Sequence, residues 1–384
     1  MCYDKGKPNK EGLYIMADSV SVKMDGPAKK FAGKKLRVAI VGCGGISQVH
    51  LKALTSMPEV EIVAGVDILQ DRLDVMEKTW GLPKSALFKD WKKMLKAVKP
   101  DAVDVCTPNG VHCAPVVDAC NAGCHAFVEK PMAMTPAECE KMIAAAKKSK
   151  VKLAVGFQWR YHPNTAALCE ARDNGQFGKI MFVKCQALRR RGIPNWGVFG
   201  QKKLQGGGPM IDIGVHMLEC AYAFMGSPKP IAASGNCWTY MGDKPSKTRS
   251  GWAGWDWKTY TVEDLAIGQI RFDNGAILQI ESSFAGHMEK SDVANWIAMG
   301  EKAGCNWEKA EIYTDLNNMM VNATPAYVGD GSWDILFKAK LQNWVDAIRT
   351  GSALYAPGEA GLNVQKMLDG IYRSAAAGKE VTIK

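Results

Sequence analysis

The chain has 384 residues, of which 47% are hydrophobic and 23% charged, and its formal net charge is +10 at pH 7. That composition belongs to an ordinary globular protein long enough for two domains, and no apolar stretch approaches bilayer length. The lysines of the N-terminal arm, of Lys89–Lys99 and of Lys147–Lys152 alternate with helical apolar positions, so the positive charge reads as solvated helix faces rather than a nucleic-acid surface.

Residues 1–35 have little periodicity and many Gly, Pro and Lys, and read as an extended arm that orders against a neighbouring subunit. No apolar core of a secretory signal is present there, and the twelve cysteines have no pairing rhythm, several lying inside apolar runs. Reduced thiols and a cytoplasmic location are the expectation. Cys120 and Cys124 lack a second ligand pair at zinc-site spacing, so no metal site is expected.

From Leu36 to Gly156, apolar strands alternate with helical patterns. Strands are predicted at 36–41, 61–66, 102–106, 125–128 and 153–155, and helices near 47–56, 71–80, 91–97, 111–122 and 136–148. The last helix opens with Thr135-Pro-Ala-Glu138, a capping box with proline at the first helical position. Such alternation implies a doubly wound parallel sheet with ligands at the carboxyl ends of its strands. After Gly156 the pattern changes to strands at 180–187, 231–234, 263–272, 276–284 and 309–314, with a hairpin signal at Asp273-Asn-Gly275. Helices return at 335–350 and 361–377. The expected architecture is an arm (1–35), a doubly wound α/β domain (36–156), and an α+β domain (157–384) with a mainly antiparallel sheet and the active site in the cleft between them.

The first strand carries the chemistry. Leu36-Arg-Val-Ala-Ile-Val-Gly-Cys-Gly-Gly-Ile-Ser47 runs from a strand through a glycine turn into a helix, the arrangement that offers backbone N–H groups to a pyrophosphate. Gly42 and Gly44 fill the first two positions of the dinucleotide pattern, Gly45 follows, and Ser47 replaces the third glycine. Asp67 ends the next apolar run 20 residues past Ser47, where a carboxylate accepts from an adenosine ribose. A plain strand-to-helix turn would not need that acid. Asp67 favours NAD over NADP, because it repels a 2′-phosphate; Arg72 and Arg189-Arg-Arg191 are the cations that would soften that preference.

Five motifs then follow in order: the glycine turn, Thr107-Pro-Asn-Gly-Val-His112, Glu129-Lys-Pro131, Trp159-Arg-Tyr-His-Pro163 and Gly206-Gly-Gly-Pro-Met-Ile-Asp-Ile-Gly-Val-His216. Together with Val262-Glu-Asp264 and Arg271-Phe-Asp-Asn-Gly275, they resemble the glucose–fructose oxidoreductase / inositol dehydrogenase (Gfo/Idh/MocA) family over roughly Leu36 to Lys384. The resemblance implies an NAD(P)-binding Rossmann domain (36–156) joined to an α+β domain with a large open sheet. It also implies oxidation or reduction of a sugar or cyclitol hydroxyl with NAD or NADP, and a homodimer or homotetramer built on the exposed sheet face. It places Lys130 at the reacting hydroxyl and pairs Asp212 with His216 as catalytic residues. Gly42, Gly44, Gly45, Ile46, Asp67, Arg72, Thr107, Pro108, Asn109, His112, Glu129 and Lys130 become the cofactor-contacting candidates. Gln158, Arg160 and Trp255 join Lys130, Asp212 and His216 as substrate contacts; a structural ion pair for Arg160 is the equal alternative.

Alcohol oxidation needs a group to take the hydroxyl proton, and His216 titrates in the right range. Asp212, four residues earlier, shares its face in a helix and can orient the imidazole or bind substrate. A Lys130 ammonium would stabilise the developing alkoxide. Four tryptophans (Trp238, Trp252, Trp255, Trp257) gather in a loop-like insert, as platforms for sugar rings or as a subunit contact. Two other functions remain open: an NAD-retaining glycoside hydrolase or isomerase that works by transient oxidation, and a non-catalytic NAD-dependent sensor.

Overall fold

The computed structural model describes residues 33–252 and 254–384. All but the last three residues of the expected arm therefore lie outside the described residues. The N-terminal half runs β1 (Leu36–Val41), α1 (Gly45–Thr55), β2 (Val60–Val66), α2 (Gln70–Trp80), β3 (Leu87–Phe88), α3 (Trp91–Val98), β4 (Ala102–Val105), α4 (Cys113–Asn121), β5 (His125–Val128), α5 (Pro136–Ser149) and β6 (Leu153–Val155). Its six strands form a parallel sheet in the order β3-β2-β1-β4-β5-β6. The chain reverses direction across the sheet between β1 and β4, so the ends of those two strands open a crevice for a ligand. The capping box at Thr135 forms as expected, with Glu138 returning a bond to the Thr135 N–H.

The second half runs α6 (Pro163–Asp173), β7 (Ile180–Arg189), α7 (Lys202–Gln205), α8 (Val215–Phe224), β8 (Pro230–Trp238), β9 (Leu265–Phe272), β10 (Ile277–Ser283), β11 (Asp292–Gly300), β12 (Ala303–Asn306), β13 (Glu311–Leu316), β14 (Met319–Ala323), α9 (Trp333–Thr350), α10 (Gly358–Ala377) and β15 (Val381–Thr382). Nine of these strands make one sheet, ordered β14-β13-β12-β11-β7-β10-β9-β8-β15. It is antiparallel except where β10 runs parallel to β7. Helices α8 and α10 cover one face, burying Val183, Cys185, Ile270, Leu278 and Ile280. The other face carries Phe182, Ile267, Ile277, Ile297 and Met299 among polar side chains, and Ile267 and Met299 are exposed.

The two halves are not independent cores. Leu341, Trp344 and Val345 of α9 pack into the cluster that holds Val38, Ile40, Leu51 and Phe127 of the parallel sheet and α1. Alternation of apolar and polar residues is weak in 292–300, which is why β11 is not evident from the sequence. Its centre, Trp296, is fully buried.

Candidate active site

A cavity of about 750 Å³ lies between the carboxyl ends of β1, β4 and β5 and the end of β7 with α8. Gly44, Gly45 and Ile46 form one end, Thr107, Pro108 and Asn109 one side, and Lys130, Asp212 and His216 meet in the middle.

Helix α1 begins at Gly45 with no side-chain cap and no acid in its first turn, leaving its N–H groups for an anion. Side chains at Gly44 or Gly45 would meet nothing within 4 Å, so the approach is open. Gly42 is constrained: its φ is +90° and a Cβ there would lie 2.7 Å from the Cys106–Thr107 backbone. Ser47 is buried and its hydroxyl donates to the Gly44 carbonyl at 2.7 Å, bracing the turn where the third glycine would stand. Asp67 accepts from the Cys43 N–H at 2.8 Å and the Leu69 N–H at 2.9 Å, so its carboxylate is held beside the glycine turn. Arg72 is exposed on α2, with Asp71 3.7 Å away, outside the cavity wall. A dinucleotide fits this set: an uncapped helix N-terminus, an open glycine approach and the Asp67 carboxylate held beside the glycine turn, itself outside the lining of the cavity.

His112 spans the Thr107 and Pro131 carbonyls at 2.8 and 2.9 Å, tying the loop after β4 to the turn after β5. Asn109 donates to the Gln205 carbonyl at 2.9 Å, fastening that loop to α7. Thr107 Oγ1, Gln158 Oε1 and His216 Nδ1 are buried with no hydrogen-bond partner among the described residues. Three orphaned polar atoms on one cavity wall are the mark of a ligand site.

Lys130 follows β5, and its peptide bond to Pro131 is cis. Its ammonium donates to the Asp212 carboxylate at 3.0 Å and to the Asp212 carbonyl at 2.9 Å. Asp212 lies in a π-helical turn, Met210–Gly214, that leads directly into α8. Such a turn inserts an extra residue per repeat and redirects side chains. The carboxylate expected to orient His216 bonds Lys130 instead. His216 stands edge-on to Trp159, with ring centres 6.4 Å apart. Burial, then the Lys130 charge, hold its imidazole well below the usual histidine range, so it is neutral near pH 7.

The glycines before the turn serve packing. A Cβ on Gly208 would lie 2.1 Å from the Glu263 carbonyl. The Glu263 carboxylate accepts from the Gly208 N–H at 2.9 Å and from the Tyr372 hydroxyl at 2.7 Å. Asp264 accepts three consecutive N–H groups from Tyr240 to Gly242. Val262-Glu-Asp264 therefore holds the turn that carries Asp212, and the insert, in place.

Beneath Lys130 lies a buried network that sequence reasoning missed. His50 bonds Asp104 at 2.7 Å and Glu129 at 3.0 Å, and Lys340 from α9 bonds the same Glu129 oxygen. Glu129 Oε2 accepts the Lys130 N–H at 3.1 Å. Lys340 and His50 hold the Glu129 carboxyl well below the usual carboxylate range against burial, while Asp104 and Glu129 raise the His50 imidazole against the same burial. His50, Asp104 and Cys106 bring potential ligand atoms within 4.8 Å of one another, but both His50 nitrogens are committed to carboxylates. A sequence signal did exist for one member: Asp104 is the polar residue of an otherwise apolar run, Ala102–Cys106.

Two expected substrate contacts lie elsewhere. Arg160 is buried against Glu219 and donates to the Tyr355 carbonyl at 2.7 Å, outside the cavity wall. The Trp255 indole donates to the Gly242 carbonyl at 2.8 Å and packs against the Ile193, Tyr260 and Phe284 cluster. Gln158 does line the cavity.

Comparisons with known proteins agree with the two-part fold. Residues 36–157 match the family model "Oxidoreductase family, NAD-binding Rossmann fold" and residues 170–383 match "Oxidoreductase family, C-terminal alpha/beta domain". The chain is 35% identical over 349 residues to a D-glucoside 3-dehydrogenase of Escherichia coli K12, covering 91% of this chain and 97% of that one. It is 28% identical over 249 residues to a myo-inositol 2-dehydrogenase of Thermotoga maritima, 65% of this chain and 68% of that one. A solved levoglucosan dehydrogenase complexed with NADH superposes with a TM-score of 0.78 at 21% identity, over 91% of this chain and all of that one. The chain therefore belongs to the Gfo/Idh/MocA family, as an NAD-dependent oxidoreductase acting on CH–OH groups of sugars.

Proposed function

We propose that this enzyme oxidises a secondary ring hydroxyl of a glucoside to a ketone, with His216 taking the hydroxyl proton. The observation that carries this is a neutral, buried histidine with an unpartnered Nδ1, in the same cavity as a lysine held by Asp212. NAD, when bound, accepts the hydride. Every other task falls to the chain. Lys130 donates to the substrate oxygen and stabilises the charge that develops as the proton leaves. Asp212 aims Lys130 through two hydrogen bonds. His216 is deprotonated near neutrality and thus ready as a base without a prior proton loss. Gln158 and Asp212 offer hydrogen bonds to neighbouring hydroxyls.

The division of labour follows residues 36–156 for cofactor and 157–384 for substrate, with Asp67 favouring NAD over NADP. The outer face of the nine-stranded sheet, where Ile267 and Met299 are exposed among polar side chains, suits a second copy of the chain, giving a homodimer or homotetramer. Every described cysteine is free, which supports a cytoplasmic location. No described helix is long and apolar enough to cross a membrane.

The test is NADH absorbance with purified protein, NAD and a panel of glucosides, free sugars and cyclitols. Reduced cofactor with glucosides, lost in Lys130→Met and His216→Ala, is expected. NAD retained without net reduction while a glycoside is cleaved would replace this reading with the internal-redox hydrolase.

A further inference from the structure

The cavity extends beyond the reacting centre to a wall that oxidation of a single ring does not require. Trp196, on the segment between β7 and α7, lines it and is 55% exposed. Its indole is stacked on Trp252 of the insert, with centres 5.1 Å apart and planes at 27°. Phe199 meets it edge-on at 6.2 Å. The Arg189 guanidinium sits 4.6 Å from the centre of the Trp252 ring and donates to the Gly192 carbonyl at 3.2 Å, so the pair of indoles is braced from within the protein. Asp292, opposite Arg189 in the β7–β11 ladder, lines the same cavity and is exposed.

An indole that is braced behind and open toward a ligand cavity is unusual for a residue of packing value alone. Its face is apolar and electron-rich, matching the C–H face of a sugar ring or the face of an aromatic ring. A nearby carboxylate supplies an acceptor for hydroxyls. The opposite aromatic group differs: Trp159 packs against His162, Trp307 and His216, and so belongs to the reacting ring.

We propose that Trp196, backed by Trp252 and flanked by Phe199, forms a second subsite that takes a ring on the anomeric substituent of the substrate. The substrate class is then a glycoside bearing a cyclic aglycone, aryl or glycosyl, rather than a free sugar. This rests on the dehydrogenase reading above. Of the four insert tryptophans, Trp252 alone contributes; Trp196, outside the insert, provides the contact surface.

The experiment compares methyl glucoside, phenyl glucoside and a glucosyl-glucose disaccharide in wild type, Trp196→Ala and Trp196→Phe. Steady-state NADH formation is read alongside calorimetric binding to the NADH-loaded enzyme, which cannot turn over an alcohol. Wild type is expected to prefer a ring-bearing substrate by about fivefold to tenfold, expressed in KM and in Kd. Trp196→Ala abolishes the preference and leaves methyl glucoside unchanged, while Trp196→Phe keeps part of it. Preference for phenyl alone assigns an aryl aglycone; preference for both assigns any ring. An unchanged preference in Trp196→Ala, or three substrates treated alike by wild type, overturns the subsite. Absence of NADH with every glycoside, beside an intact calorimetric preference, would instead remove the dehydrogenase reading and leave the subsite standing.

Discussion

Lys130 donates twice to Asp212, to the carboxylate at 3.0 Å and to the main-chain carbonyl at 2.9 Å. One of these bonds survives loss of the acid. Asp212→Asn also keeps a side-chain oxygen as acceptor, so it should hold Lys130 in place better than Asp212→Ala, which retains only the main-chain bond. The expected fall in kcat/KM is about tenfold for Asp212→Asn and on the order of 10²–10³ for Lys130→Met, measured by NADH formation. Equal losses in both variants would give Asp212 a direct part in the chemistry.

The pH profile follows from His216. Its pKa lies well below the ordinary value, first through burial and then through Lys130. The base is ready above that pKa, so kcat/KM should show no acid limb near pH 6.5. Proton NMR of His216 in Lys130→Met should show the titration moved upward, because the nearby positive charge is gone. For stability the sign is the same: the unfolded chain binds the proton first. The contribution is fully present above the unfolded value and is lost as pH falls from there through the folded value.

Removing Lys340 should cost about 3–5 kcal/mol, since Glu129 would remain buried without its cation. Urea denaturation of Lys340→Met at pH 7 measures this. The double variant Lys340→Met/Glu129→Gln should recover part of the loss, because no buried charge is stranded. The low Glu129 pKa adds stability that is present above its ordinary value and lost as pH falls through the folded one. His50 has the opposite sign: its raised pKa stabilises below its ordinary value, an effect lost as pH rises through the folded one.

Asp67→Ala should weaken NAD binding and narrow the NAD/NADP ratio of kcat/KM by about tenfold or more. The loss has two origins. The Cys43 N–H loses its partner as well as the ribose losing an acceptor. An unchanged ratio would assign cofactor choice to other residues, Arg72 among them.

Much of this molecule was legible beforehand, for identifiable reasons. Strand–helix alternation and the glycine turn specify β1, β2, β4, β5 and β6 locally, and the observed ends differ from expectation by a residue or two; the two-residue edge strand β3 is too short to leave a pattern. Lys130, Asp212 and His216 converge because the two motifs that carry them end at one cleft. What stayed hidden depends on contacts remote in sequence. Lys340 and Glu129 are 211 positions apart, and no local pattern links them. Arg160 forms the structural ion pair that the sequence leaves as the equal alternative to a substrate contact, and Trp255 bonds Gly242; neither lines the cavity, and no local pattern announces either partner. Helical spacing alone would set Asp212 on the His216 face, but the π turn at Met210–Gly214 carries its carboxylate to Lys130.

The α9 contribution to the parallel sheet has a consequence for biogenesis. Trp344 comes 189 residues after Val155, the end of the last strand of that sheet. As the nascent chain leaves the ribosome, the sheet emerges complete in sequence yet lacks both a wall of its core and the cation for Glu129. It must wait in a partly open state while the whole second half is synthesised. A chain cut after the first domain would leave apolar surface and a charged network uncovered, and its fate would be aggregation rather than a small NAD-binding module.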